Sequence, residues 1–353
     1  MNCTLNNQNI NIKKYEDDSI FFEIMKEQTF LPFLYYTTKL PKWKKFYYQS
    51  FLINEKFNKL GEKLIRILNE NKIDHMFFKG YIIKELYPQP FLRQMGDIDI
   101  LVREKDYSTV LKILINNGFI FESEEEYHTS LKIDGLNIEI HNKLLSKNNP
   151  HYTFFKKTFD IFSNKVNNHT YKMDDTIHLL YLLSHYLKHL KQGAGLRALC
   201  DIYLYLSNVK INEAIFFKHL KELNMDAFFN TILNQLDYIF GYNYFKYTKN
   251  SYFIELLEYS LKSGIHGFGK ENQMILNEYH TYKKSKLSFL LSKVFIPIPK
   301  LFSQYPWTKS IILIPLGYIF RFFSLLKNKN KQLKEILQIS KKDEMFNKTG
   351  INN

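Results

Sequence analysis

Two aspartates separated by a single residue, Asp97 and Asp99 in the run DIDILV, are the pair of side chains in this chain best placed for chemistry. In an extended strand, residues two apart point to the same face, so both carboxylates face one way while Ile98, Ile100 and Val102 face the other. Carboxylates held that close repel each other and call for a counter-cation. The natural one is a hard, oxygen-seeking ion, Mg²⁺ or Mn²⁺. Glu139 is an acid set between Ile138 and Ile140 in the run LNIEIH. Should that run lie beside residues 97–102, Glu139 completes a three-carboxylate cluster, and His141 faces the same way by the same period.

Around these acids lie groups suited to phosphate. Lys79–Gly80 closes the apolar run HMFF and opens a short helix. Glycine lets backbone approach a phosphate, a helix N-terminus offers free N–H groups, and Lys79 adds a charge. Arg93, four residues before Asp97, is placed for a triphosphate. His185 and His189 share a helical face with Lys188. Zinc is not expected on that face, because no third ligand stands at a recognisable spacing. A face of His185, Lys188 and His189 bordering the cleft competes with ordinary packing, and Arg197 and Asp201, one turn apart on a helix, could pair with each other or with that face. Plainer readings stand beside each of the others: a surface turn for the aspartate pair, an edge-strand acid for Glu139, a solvated cation for Arg93 and packing for His141.

The elements that must position these groups are legible from periodicity. Residues 15–71 read as helical, with Phe57, Leu60, Leu64, Ile67 and Leu68 forming one stripe. Strands are expected at 75–78 and 97–102, a short helix at 81–87, and a helix from about 107 to 116 ended by Asn117–Gly118. A hairpin follows, with strands near 129–133 and 136–141 around the turn Asp134–Gly135. From Asp174 the pattern is helical, with helices at about 195–207, 212–222, 225–240, 251–262 and 310–326. The expected class is α+β: a mixed sheet with flanking helices, followed by an α-helical domain.

The run FFKGYIIKELYPQPFLRQMGDIDILV, the helix ending NGF and then IEIH resemble the uncharacterised nucleotidyltransferase family of bacteria, within the DNA-polymerase-β-like superfamily. YLLSHYLKH and LRALCDIYLYL are similar to its helical part. The resemblance implies that Asp97, Asp99 and Glu139 bind metal and catalyse transfer of a nucleoside monophosphate from an NTP. Lys79–Gly80 stands where the superfamily usually has Gly–Ser, and the gap from Gly80 to Asp97 is longer than typical. Both departures fit this branch, as do Arg93 and His141. The implied acceptor is a small molecule, a peptide, a polysaccharide precursor or a tRNA. The alternative is a regulatory protein that binds nucleotide or RNA and keeps the fold without turnover.

The bulk composition sets limits. With 353 residues and 45% apolar content, the chain has material for more than one packed unit. The net charge of +14 comes almost wholly from lysine, since only Arg66, Arg93, Arg103, Arg197 and Arg321 are arginines. That favours a lysine-coated surface over a dedicated polyanion binder, which uses the planar arginine fork. Two cysteines, Cys3 and Cys200, exclude a disulfide framework and a cysteine-based zinc site. The opening residues carry no basic-then-apolar signal, and a cytoplasmic protein without stable membrane insertion is expected. The apolar segment 307–331 (Trp307, Ile311, Ile312, Ile314, Tyr318, Phe322, Phe323) reads as a packed helix in preference to an interfacial one. Expected units are 1–54 helical, 55–145 catalytic, 146–326 mainly helical and 327–353 a basic, disordered tail.

Overall fold

The computed structural model describes residues 18–190, 193–264, 295–310, 313–328 and 344–351. They fall into two compact units. Described residues up to 264, with Thr349–Ile351, form the first, and the described residues within Gly267–Lys348 form the second.

In the first unit, helices α1 (Ser19–Glu27), α2 (Leu31–Thr38) and α3 (Lys44–Glu70) precede the sheet. Asp18 caps α1 by accepting from the backbone N–H groups of Ile20 and Phe21. The strands are β1 (His75–Phe78), β2 (Asp97–Val102), β3 (Ile120–Glu124), β4 (His128–Ile133), β5 (Leu136–His141), β6 (Ser163–Asn167) and β7 (Thr170–Met173). A single helical turn, α4 (Gly80–Ile83), follows β1, and α5 (Tyr107–Asn116) follows β2. Two further helical turns, Tyr152–Phe155 and Thr158–Ile161, lead to β6.

The seven strands make one mixed sheet in the order β3-β4-β5-β2-β1-β7-β6. Asp134 and Gly135, both at positive φ (50° and 77°), make the tight turn between β4 and β5. The sheet runs past residue 145, because β7 pairs with β1 in parallel, His75 opposite Thr170, and carries β6 with it. These two strands had no clear alternation in the sequence. The run SNKVNNHTYKM is polar because β6 is an edge strand with little buried surface.

One face of the sheet is a hydrophobic core. Ile98, Ile100, Val102, Ile138 and Ile140 pack there against the expected stripe of α3, Phe57 through Leu68, and against Tyr107, Val110 and Leu114 of α5. Removing side chains of this size from water contributes about 1.5–3 kcal/mol each. The opposite face carries Asp97, Asp99, Glu139 and His141, and is covered by the helical half of the unit. That half consists of α6 (Asp175–Leu190), α7 (Arg197–Asn208), α8 (Glu213–Glu222), α9 (Asp226–Phe240) and α10 (Tyr252–Ser263). Asp174 caps α6, accepting from the N–H groups of Thr176 at 2.9 Å and Ile177 at 3.2 Å. α6 is buried on nearly every side, and its Tyr181 ring meets Phe78 of β1 at 5.6 Å.

The second unit contains α11 (Ile298–Gln304) and α12 (Ile314–Asn328). α12 starts later than expected, which puts Pro315 in its first turn, where the missing N–H leaves no bond unmade. Tyr318 donates to the Ile296 carbonyl at 2.8 Å, while Trp307, Leu316, Ile319 and Phe320 are exposed. Ile311, Ile312 and residues 329–331 of the apolar segment lie outside the described residues, as does Cys3. Of the expected disordered tail, Thr349 accepts a hydrogen bond from Thr231 at 3.1 Å and Ile351 is buried, so this stretch is packed. No helix among the described residues is long and apolar enough to cross a membrane.

Candidate active site

Strand register brings the acids together. β2 and β5 run parallel with Asp99 opposite Glu139, and β1 runs antiparallel to β2 with Phe78 opposite Asp99. Asp97, Asp99 and Glu139 each offer a carboxylate oxygen within 4.8 Å of the others. Lys79, the residue after β1, places Nζ 2.7 Å from Asp99 Oδ1 and 4.0 Å from Glu139 Oε2. Its backbone is at φ 51° and ψ −129°, a conformation that costs a non-glycine residue about 1–3 kcal/mol. Strain of that kind persists where the surroundings over-determine it, here at the end of a strand beside three acids.

The charges of the cluster do not balance. Burial, and then the neighbouring Asp99, push Asp97 up to about 7. Burial also works to raise Asp99, but the Lys79 ammonium and His141 outweigh it and hold Asp99 well below the usual carboxylate range. Glu139 follows the same logic more weakly: burial raises it, while the hydrogen bond from His141, together with Lys79, brings it below its ordinary value. The Lys79 charge is disfavoured by burial yet stabilised by Asp99, and its pKa stands well above that of a free lysine. Three acids thus share one contacting ammonium, and the cost falls on Asp97. An all-oxygen donor set with unmet negative charge fits Mg²⁺ or Mn²⁺.

The cavity over these acids has a volume of about 560 Å³. Its floor includes Lys79, Gly80, Asp97, Asp99 and Glu139, and its far wall includes His185, Lys188, His189 and Arg197 from α6 and α7. His141 is fully buried behind the floor, with Nε2 at 3.1 Å from Asp99 Oδ1 and 3.2 Å from Glu139 Oε2. Gly80 is required by close approach: a Cβ there would lie 2.5 Å from Arg93 Nη1.

Arg93 lines the cavity, but two of its nitrogens are committed. Nε and Nη2 bond the two oxygens of Asp201 at 2.8 and 2.7 Å, and the Tyr87 hydroxyl donates to the same carboxylate at 2.7 Å. Of the pairings open to Arg197 and Asp201, the one with each other is therefore not formed. Arg197 instead donates to the Gln94 carbonyl at 3.1 Å. The helical spacing made that pair possible, but the buried bidentate geometry of Arg93 is the stronger competitor. Lys188 donates to the Tyr127 hydroxyl at 2.9 Å. Among the described residues, neither Arg197 nor Lys188 is paired with a carboxylate, so the far wall keeps positive charge for an anion.

His185 and His189 do lie side by side, Nε2 to Nε2 at 3.2 Å. Burial and their own mutual proximity push His185 well below its ordinary pKa, and burial with Lys188 pushes His189 down to about 4, so both are neutral near pH 7. Among the described residues no third ligand joins this pair. A different histidine was missed by the sequence reading. His128 sits directly opposite His141 in the β4–β5 ladder, with Nε2 3.5 Å from Glu139 Oε1. The signal was available: counting back from the Asp134–Gly135 turn pairs Ile133 with Leu136 and, in step, His128 with His141.

A protein family described as uncharacterised nucleotidyltransferase matches residues 28–241, a span that contains the whole sheet and every cavity-lining residue. No curated protein and no solved structure matches the chain. With three carboxylates converging beneath a basic wall and well over half its length covered by that match, the chain belongs to the uncharacterised nucleotidyltransferase family.

Proposed function

We propose that this chain transfers a nucleoside monophosphate from an NTP to an acceptor, with Asp97, Asp99 and Glu139 holding divalent cations. The observation that carries the reading is the register of β2 on β5, which sets Asp99 opposite Glu139 with Asp97 on the same face, at the floor of the cavity. In the overall reaction an acceptor oxygen forms a bond to the α-phosphorus, the bond to the β-phosphate oxygen breaks, and pyrophosphate leaves. Bound Mg²⁺ or Mn²⁺ would supply charge neutralisation at the phosphates and a lowered pKa for an acceptor hydroxyl.

The chain's own residues do the rest. Glu139, more exposed than Asp99 and facing the cavity, is the group to take the acceptor proton. Lys188 and Arg197 face the floor across the cavity and would orient the triphosphate or an anionic acceptor. Arg93, held by Asp201 and Tyr87, fixes the loop before β2 to α7 and keeps Nη1 over Gly80. Positioning and charge stabilisation are the main sources of rate in such transfers.

One feature favours a second reading, nucleotide binding without turnover. The Lys79 ammonium already sits on Asp99 at 2.7 Å, where it serves as a built-in cation. One experiment separates the two. The protein is incubated with each labelled NTP, Mg²⁺ or Mn²⁺ and cell extract, and any labelled product is identified, with nucleotide affinity measured in parallel. Metal-dependent labelling that Glu139→Gln abolishes, while nucleotide affinity stays within about threefold, supports transfer. Metal-independent nucleotide binding without any labelled product supports the binding protein.

A further inference from the structure

We propose that His128, Glu139 and His141 form a transition-metal site that shares Glu139 with the aspartate cluster and prefers Zn²⁺-like ions to Mg²⁺. The inference rests on the reading that this cavity holds cations and adds which class of ion one position selects.

The geometry is that of a small metal centre. The ligand atoms of the three residues lie within 4.8 Å of one another. The Nε2 atoms of both histidines aim at one carboxylate, His128 at 3.5 Å from Oε1 and His141 at 3.2 Å from Oε2. Ligands on a tetrahedral ion with bonds near 2.0–2.1 Å stand about 3.4 Å apart, so these separations need little adjustment. The two rings stack at 5.0 Å with 28° between their planes, and both Nε2 atoms face Glu139. His128 and Glu139 also line the cavity, so the site opens onto it.

Internal hydrogen bonding accounts for only part of the pair: His141 Nε2 bonds the Asp99 and Glu139 carboxylates at 3.1 and 3.2 Å. His128 and His141 are 6% and 0% exposed, and the Nδ1 atom of each is buried without a hydrogen-bond partner among the described residues. An unsatisfied buried polar atom costs about 1–3 kcal/mol, and two on adjacent strands make this pair costly for the fold to hold. Glu125 Oε2 lies 3.9 Å from His128 Nδ1 and is on a mobile-length side chain that is 57% exposed, so a small rotation would complete a carboxylate–histidine–metal arrangement. Imidazole nitrogens suit Zn²⁺, Co²⁺ and related ions, whereas Mg²⁺ favours oxygen donors and keeps its waters. Asp97 and Asp99 supply the oxygen donors and the histidines supply nitrogen, so the two groups select differently around a shared Glu139.

The test uses the full chain, freed of metal and without nucleotide, titrated with Co²⁺. The expected result is the strong visible d–d absorption of a low-coordinate, imidazole-ligated ion, persisting in excess Mg²⁺ and lost when Zn²⁺ is added. His128→Gln should weaken Co²⁺ binding by more than about tenfold, whereas Asp97→Asn should leave the bands in place. Because His141 is fully buried and its variant can unfold, its part is read on the native chain, as hyperfine-shifted imidazole proton signals from two histidines in the Co²⁺-loaded protein. A featureless spectrum, bands unchanged in His128→Gln, or displacement by equimolar Mg²⁺ would overturn the proposal. Mg²⁺ binding at the aspartates with no Co²⁺ bands would sink this inference and spare the transfer reading. Co²⁺ bands in a chain that labels no acceptor would do the reverse.

Discussion

The two faces of the central sheet are built from the same strands and behave oppositely. On one, Ile98, Ile100, Ile138 and Ile140 are fully buried under α3 and α5, and the Tyr107 hydroxyl packed with them is satisfied by Thr129 at 2.6 Å. On the other, one residue over in each strand, Asp97, Asp99 and Glu139 crowd together with Lys79 as their contacting cation and leave Asp97 pushed up to about 7. The apolar face reaches its lowest free energy without help. The acidic face does not, and its shortfall is negative charge that a ligand can neutralise. Alternation therefore does two jobs in six residues: half of β2 stabilises the fold and the other half is held in a costly arrangement by that stability.

Substitutions at adjacent positions should separate these jobs. Asp97→Asn, which removes the acid that burial and Asp99 push up, is expected to lower transfer by about 10²–10³-fold, the scale for losing one preorganised electrostatic partner, and to remove divalent-dependent nucleotide binding seen by calorimetry. Its urea midpoint should stay close to that of the parent chain. Unfolding at markedly lower urea would break the comparison, because the acid would then be part of the core's stability. Asp201→Ala strands the Arg93 guanidinium, which is 8% exposed, and should cost about 3–5 kcal/mol in chemical denaturation. A cost near zero would mean that the acidic face is not locked to α7 through this pair. Ile100→Ala, at a fully buried position on the apolar face, should lose about 2–5 kcal/mol of stability while divalent-ion affinity in the folded protein is unchanged. Metal affinity falling in step with stability would show that the two faces are not separable. The smallest effect belongs to Gly80→Ala. Its Cβ would meet Arg93 Nη1 at 2.5 Å, so about 1–3 kcal/mol of overpacking is expected, a cost that vanishes when the same substitution is made in an Arg93→Ala background and compared with that variant.

Two pairs of histidines show what made parts of the site legible. His185 and His189 are neighbours because a helix places residues four apart on one face, and the sequence alone identified them. His128 and His141 are neighbours because a hairpin brings together residues thirteen positions apart, and seeing them required extending the ladder beyond the turn that had been recognised. The more accessible signal led to the pair that gathers no third ligand among the described residues. The less accessible one led to the pair that faces Glu139. Arg93 and Asp201 were each noticed but not as partners of each other, since a contact across 108 residues leaves no local trace.

Side-chain direction, element type and turn position were determined by the sequence itself. They follow from local backbone geometry: period two in DIDILV and LNIEIH, period 3.6 in α3, and positive φ at Asp134–Gly135. Which strand lies beside which was decided only by the tertiary structure. The parallel pairing of β2 with β5 makes three acids one cluster, and that of β7 with β1 carries the sheet past residue 145. So was the choice of Asp201 for Arg93 over the helix neighbour Arg197. Such choices depend on which arrangement buries the most apolar surface while leaving the fewest charges unpaired. That balance is summed over the whole fold, and no window of the sequence contains it.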